Sequence, residues 1–106
     1  MGRNIRVVVV NGENIYTKTI KNELEPKQRI VGGLIDVIET NIPTKNNNRV
    51  IDLVVNDEGL LLGLPQNPKF PRIAGTVFLS ATDLTTGDSV DLSNKDIENI
   101  YKYLKE

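Results

Sequence analysis

Residues Ile5 to Val10 read Ile-Arg-Val-Val-Val-Val, an almost unbroken run of β-branched side chains. Such residues lose side-chain freedom in a helix and pack well on a pleated surface. Because side chains alternate sides along a strand, a run apolar at both parities must be covered on both faces. The run therefore predicts a strand near the centre of a sheet, and whatever else the chain forms must be able to bury it.

Neighbouring segments supply partners. Asn11-Gly12 is a tight-turn signal that tolerates positive φ, and Ile15 to Lys21 then alternates as a second strand, antiparallel to the first. Glu25-Pro26 opens a short helix with Pro26 expected at the first helical position. Gly32-Gly33 ends it, one glycine taking the left-handed position, because two adjacent glycines would cost about 2 kcal/mol in a helix interior. Leu34 to Thr40 reads as a strand, and Asn41 to Asn48 as a polar, mobile loop. Arg49 to Val55 is a further strand. Asn56-Asp57-Glu58-Gly59 reads as a hairpin turn with Gly59 at positive φ and Leu60 to Leu62 returning.

Gly63 to Arg72 holds three prolines and is expected to be an extended loop. Ile73 to Ser80 predicts another strand, Asp83 to Asp88 a turn around Gly87, and Ser89 to Leu92 a short extended piece. The last element is the most fully specified. Ser93 and Asp96 form a capping box, Leu92 and Ile97 a hydrophobic staple, and Ile97, Ile100, Tyr101 and Leu104 one helical stripe. The expected architecture is a single α+β domain over residues 1–106. It has a mostly antiparallel sheet of about five to six strands, with a short first helix and a C-terminal helix packed on one face.

The chain of 106 residues contains neither histidine nor cysteine. This removes the usual general base, the thiol nucleophile, disulfides and the ligands of structural zinc. With a formal net charge of −1, the basic surplus that drives phosphate binding is also missing, so nucleic acid is not an expected partner. Tryptophan is absent and aromatics are scarce, which leaves little stacking surface for sugars or bases. The longest apolar run, Val7–Val10, is far short of a membrane span, and the first residues lack a signal-peptide core. A cytoplasmic home is expected, without cofactor, metal or membrane association.

The residues best suited to contact a ligand or partner lie in loops. Gln66 and Asn67 are amides framed by Pro65 and Pro68, and a loop stiffened this way loses little entropy on binding. Gly63 begins that loop, Asn56 and Glu58 mark the preceding turn, and Gly32 and Gly33 would let a ligand approach the backbone closely. The plain structural alternative is that these residues only close turns and cap the core. A second reading centres a carboxylate and metal-dependent enzyme on Asp57 and Glu58. Neither that stretch nor Asp83, Asp88 and Asp91 has calcium-loop spacing. A third reading is a homo-oligomer assembled through an uncovered sheet edge.

The order of these segments resembles a known family. The carrying motifs are the valine-rich first strand, Val31-Gly32-Gly33 followed by Leu34-Ile35-Asp36-Val37-Ile38, and Asn56-Asp57-Glu58-Gly59. With them go Leu62-Gly63-Leu64-Pro65-x-Asn67, Ile73-Ala74-Gly75-Thr76-Val77-Phe78-Leu79, and Asp91-Leu92-Ser93 leading into a helix. Together they resemble the bacterial and phage family called domain of unknown function 3846, over nearly the whole chain. The resemblance implies a gene of a phage, plasmid or integrative element and assigns no catalytic residues. The expectation is a non-enzymatic binding protein that acts on a host or phage protein, or on a small nucleotide-like ligand, as a counter-defence or accessory factor.

Overall fold

A computed structural model describes residues 3–44 and 46–105. The elements in chain order are β1 (Asn4–Asn11), β2 (Asn14–Lys21), α1 (Leu24–Val31), β3 (Ile35–Glu39), β4 (Arg49–Asn56), β5 (Val77–Asp83), β6 (Ser89–Val90) and α2 (Asn94–Lys105). The sheet is antiparallel with strand order β2-β1-β5-β4-β3, and β6 pairs with the far half of β5. The fold is α+β, a six-stranded sheet with one short early helix and one C-terminal helix.

β1 is an interior strand, as its composition requires. Ile5, Val7 and Val9 enter one core with Ile20, Val31, Val54 and Phe78. Val8 and Val10 enter the other with Ile51, Leu53, Val77, Leu79, Leu92, Ile100 and Leu104. The two helices therefore lie on opposite faces, which corrects the expectation of two helices on one face. A strand apolar at both parities needs a cover on each side, and α1 and α2 supply one each. Burial of Ile100 and Leu104 alone contributes about 3–6 kcal/mol to holding α2 in place.

Several boundaries differ from the sequence reading. α1 begins at Leu24, so Pro26 is its third residue and not its first. The proline is still tolerated, because the first four N–H groups of a helix have no intrahelical acceptor. Gly32 is the left-handed end of α1 (φ 83°), and the N–H groups of Gly32 and Gly33 both donate to Gln28 O. At the β1–β2 turn Asn11 pairs with Asn14 and stays extended, leaving Gly12 as the positive-φ residue.

The largest correction concerns Leu60 to Leu62, which form no returning strand. Leu62 N–H donates to Glu58 O and Leu64 N–H to Gly59 O, so local turns take the donors a hairpin would need. Gly59 is not at positive φ. Its missing side chain instead makes room for the carbonyl of Ala74, which a Cβ would meet at 2.6 Å. β5 starts at Val77 and not at Ile73: Gly75 is left-handed (φ 94°), and Ala74 makes only an isolated bridge to Gln66. The Asn41–Asn48 loop is tied down by Ile42, which is buried in the α2 core, and by Asn99 donating to Pro43 O at 2.9 Å.

α2 matches its sequence signals. Asp96 N–H donates to Ser93 Oγ at 3.0 Å, and Ser93 N–H donates to Asp96 Oδ2 at 3.1 Å, closing the capping box. Ahead of it, Arg6 reaches from β1 to Asp91, Leu92 O and Asn94 Oδ1. No helix among the described residues is long and apolar enough to cross a membrane.

Candidate functional site

Asn56 ends β4 with its side chain buried. Its Nδ2 donates to Val31 O at 3.1 Å and its Oδ1 accepts from Glu58 N–H at 2.8 Å. A Cβ on Gly33 would come within 3.0 Å of that Nδ2. Gly33 and Asn56 thus form one device that fixes the end of α1 against the sheet.

Asn67 is similarly occupied. Its Nδ2 donates to Val10 O (3.3 Å) and Gly75 O (3.0 Å), and its Oδ1 accepts from Lys69 N–H (3.0 Å). A neutral amide offers two donor hydrogens and one carbonyl oxygen, so each group already has a partner. Gln66 is exposed and donates to Pro71 O. Gly63 is left-handed with open space around it.

The fold does bring some of the expected residues together. Gly32, Gln66 and Asn67 line a groove of about 320 Å³ with Asn11, Gly12 and Thr76, where β1, α1 and the proline loop meet. Asn56 and Glu58 line a different groove of about 380 Å³, shared with Asp36, Ile38, Leu60 and Arg72. Gly63 lines neither.

That second groove opens onto a larger one of about 560 Å³ floored by Ile38, Leu53, Phe70, Ile73 and Tyr103. Ile38, Arg72 and Ile73 belong to both, so the surface is continuous. Leu60 and Leu61, which line the smaller groove, are 79% and 86% exposed, and Leu62 next to them in the chain is 58% exposed. The sequence reading does not identify this surface, because it makes the three leucines the returning strand of a hairpin. The signal available is length: three apolar residues set between turn formers are fewer than a usual strand.

The polar chemistry is dispersed. Asp52 is buried and accepts from Thr82 Oγ1, whereas Asp57 and Glu58 are exposed on the following turn. Asp83 accepts from the N–H groups of Thr85 and Thr86 within its own turn. Among the described residues no group of three or more acidic side chains could hold a metal ion. Burial tends to raise Asp91, but the hydrogen bonds and charge of Arg6, with the charge of Arg49, outweigh it and hold its carboxyl below the usual range. Lys27 Nζ donates to Ser89 Oγ at 3.1 Å, and burial lowers the ammonium from its ordinary value. A serine beside such a lysine has nucleophile-and-base spacing, yet neither residue lines any of these grooves.

Thus the geometry offers contact surfaces: a small glycine-lined groove and a broad apolar one. No curated protein and no solved structure matches the chain. A family model does match, over residues 5–105, and the chain belongs to the family described as Domain of unknown function (DUF3846).

Proposed function

We propose that this is a non-catalytic binding protein that engages a protein partner through the apolar surface of Ile38, Leu60, Leu61, Phe70, Ile73 and Tyr103. The observation behind this reading is the leucine run, whose middle residue is 86% exposed on a surface continuous with two grooves. Single exposed leucines are ordinary, but a contiguous apolar surface flanked by charge marks an interaction site. Arg72 stands between the grooves, and Asp36, Asp57 and Glu58 line the smaller one with it, so the apolar surface is bordered by charges of both signs. The mobile-element setting implied by the family resemblance suits a small cytoplasmic accessory or counter-defence protein that acts on a host protein.

The test is affinity capture from host lysate with wild type, Leu61→Lys and Ile38→Lys side by side. One protein retained by wild type and lost by both variants, with unchanged circular dichroism, supports the reading. Retention of the same proteins by all three counts against it.

A second reading, a small ligand in the groove of Gly32 and Gln66, rests on the bare backbone there and the exposed amide of Gln66. Asn67 takes no part in it, since its amide is already paired. Native mass spectrometry against nucleotide pools tests this version, and Gln66→Ala should weaken any retained ligand.

A further inference from the structure

β3 closes one side of the sheet and, among the described residues, pairs with β4 alone. The direction of its backbone groups can be worked out. Asp57 N–H donates to Leu34 O at 2.8 Å, and Thr40 N–H donates to Ile51 O at 3.1 Å. Even-numbered residues therefore face β4, and Ile35, Val37 and Glu39 direct their N–H and C=O groups outward. The Val37 N–H agrees with this: it is covered at 2.9 Å by Asp36 Oδ1. The strand is also bare on its faces, with Val37 52% and Ile38 40% exposed on opposite sides.

We propose that β3 pairs antiparallel with β3 of a second copy of this chain, about a twofold axis at Val37. Two facts select the register, and a third fits the strand to a second copy of itself. First, the outward groups sit on odd-numbered residues, so a twofold must pass through a residue and not between two. Second, an axis at Asp36 would place two carboxylates face to face, which is unfavourable, and an axis at Ile38 would keep only the Val37–Glu39 exchanges within the strand. Third, an axis at Val37 opposes Ile35 to Glu39, Asp36 to Ile38 and Val37 to Val37, with no like charges opposed, and each outward-facing residue exchanges hydrogen bonds with its opposite. The strand is thus compatible with itself under the symmetry that closes most homodimers. Asp36 guards the edge in the monomer and releases Val37 N–H on pairing. The other free edge, β2, carries Lys18 and Lys21 and could meet β3 head to tail, but that contact does not close and would give fibres.

Sedimentation equilibrium from about 10 µM to about 1 mM spans the range expected for one strand pair without a large interface. Wild type should pass from one to two chain masses. Val37→Pro deletes an outward N–H and leaves the β3–β4 ladder intact, so it should weaken association at least about tenfold. Val37→Lys, which sets two ammonium groups opposite each other, should do the same, whereas Asp36→Ala should tighten it. Amide exchange at Ile35 and Glu39 should slow with concentration, while Asp36 and Ile38 stay protected throughout. Leu61→Lys should leave the dimer unchanged, which separates this contact from the partner surface proposed above. A wild type that stays monomeric, a dimer indifferent to both Val37 variants, or open-ended polymers would each overturn the proposal.

Discussion

Replacing Asn67 by alanine tests whether this amide works for the fold or for a ligand. The residue is 2% exposed, and its side chain makes three hydrogen bonds, to Val10 O, Gly75 O and Lys69 N–H. At about 1 kcal/mol net for each bond, the loss is about 3 kcal/mol, with more if the orphaned carbonyls stay dry. For a chain of this size a urea slope of about 1.5 kcal/mol/M turns that loss into a midpoint lower by about 2 M. Gln66→Ala, one residue away but exposed and with a single bond to Pro71 O, should cost under about 1 kcal/mol. Asn67→Asp adds a second readout. It keeps the acceptor for Lys69 N–H but aims carboxylate oxygens at two carbonyls, so the introduced carboxyl has a raised pKa in the fold. Its protonated form is then favoured in the folded chain, and stability should fall as pH rises from about 4, where the unfolded carboxyl ionises. Urea titrations at pH 4 and pH 7 measure both effects. An Asn67→Ala protein within about 1 kcal/mol of wild type, or a Gln66→Ala protein equally destabilised, would refute the reasoning.

Three further outcomes are expected. Gly59→Ala should cost at least about 2 kcal/mol through collision with Ala74 O, whereas Gly87→Ala, left-handed but in open space, should cost about 1 kcal/mol; thermal unfolding compares them. The lowered carboxyl of Asp91 contributes stability that is fully present above its unfolded value and is lost as pH falls below about 4; Asp91→Asn should flatten that limb of an acid titration, by at most about 1 kcal/mol because the pair with Arg6 is half exposed. Ser93→Ala should cost about 1 kcal/mol by opening the capping box, and the double variant with Asp96→Ala should be non-additive, as urea midpoints will show.

What the residues reveal depends on whether the information is local. α2 is legible because its cap, its staple and its apolar stripe all lie within a few positions of one another. β1 is legible because burial on both faces is written in its composition, and the same fact argues for a helix on each side, an implication that the one-face arrangement misses. The Leu60–Leu62 segment misleads because an apolar run after a turn need not pair as a strand, and the deciding factor is the turn bonds to the carbonyls of Glu58 and Gly59. Asn67 stands out in the sequence for its amide, which the fold takes up in its own hydrogen bonds. The groups that use up its amide include a carbonyl 57 positions earlier, and no spacing rule reaches that far. The broad groove is invisible for the same reason, since it joins β3, the proline loop and the last turn of α2.

The position of β5 has a consequence for biogenesis. It is the middle strand in space, joining the β1–β2 ribbon on one side to the β3–β4 ribbon on the other, yet it is made only after both. A nascent chain halted before residue 77 would hold two disconnected ribbons, each with a valine-rich flank awaiting the keystone. Until that strand emerges from the ribosome, those flanks are the stretch where a chaperone, or a misplaced neighbour, would find purchase.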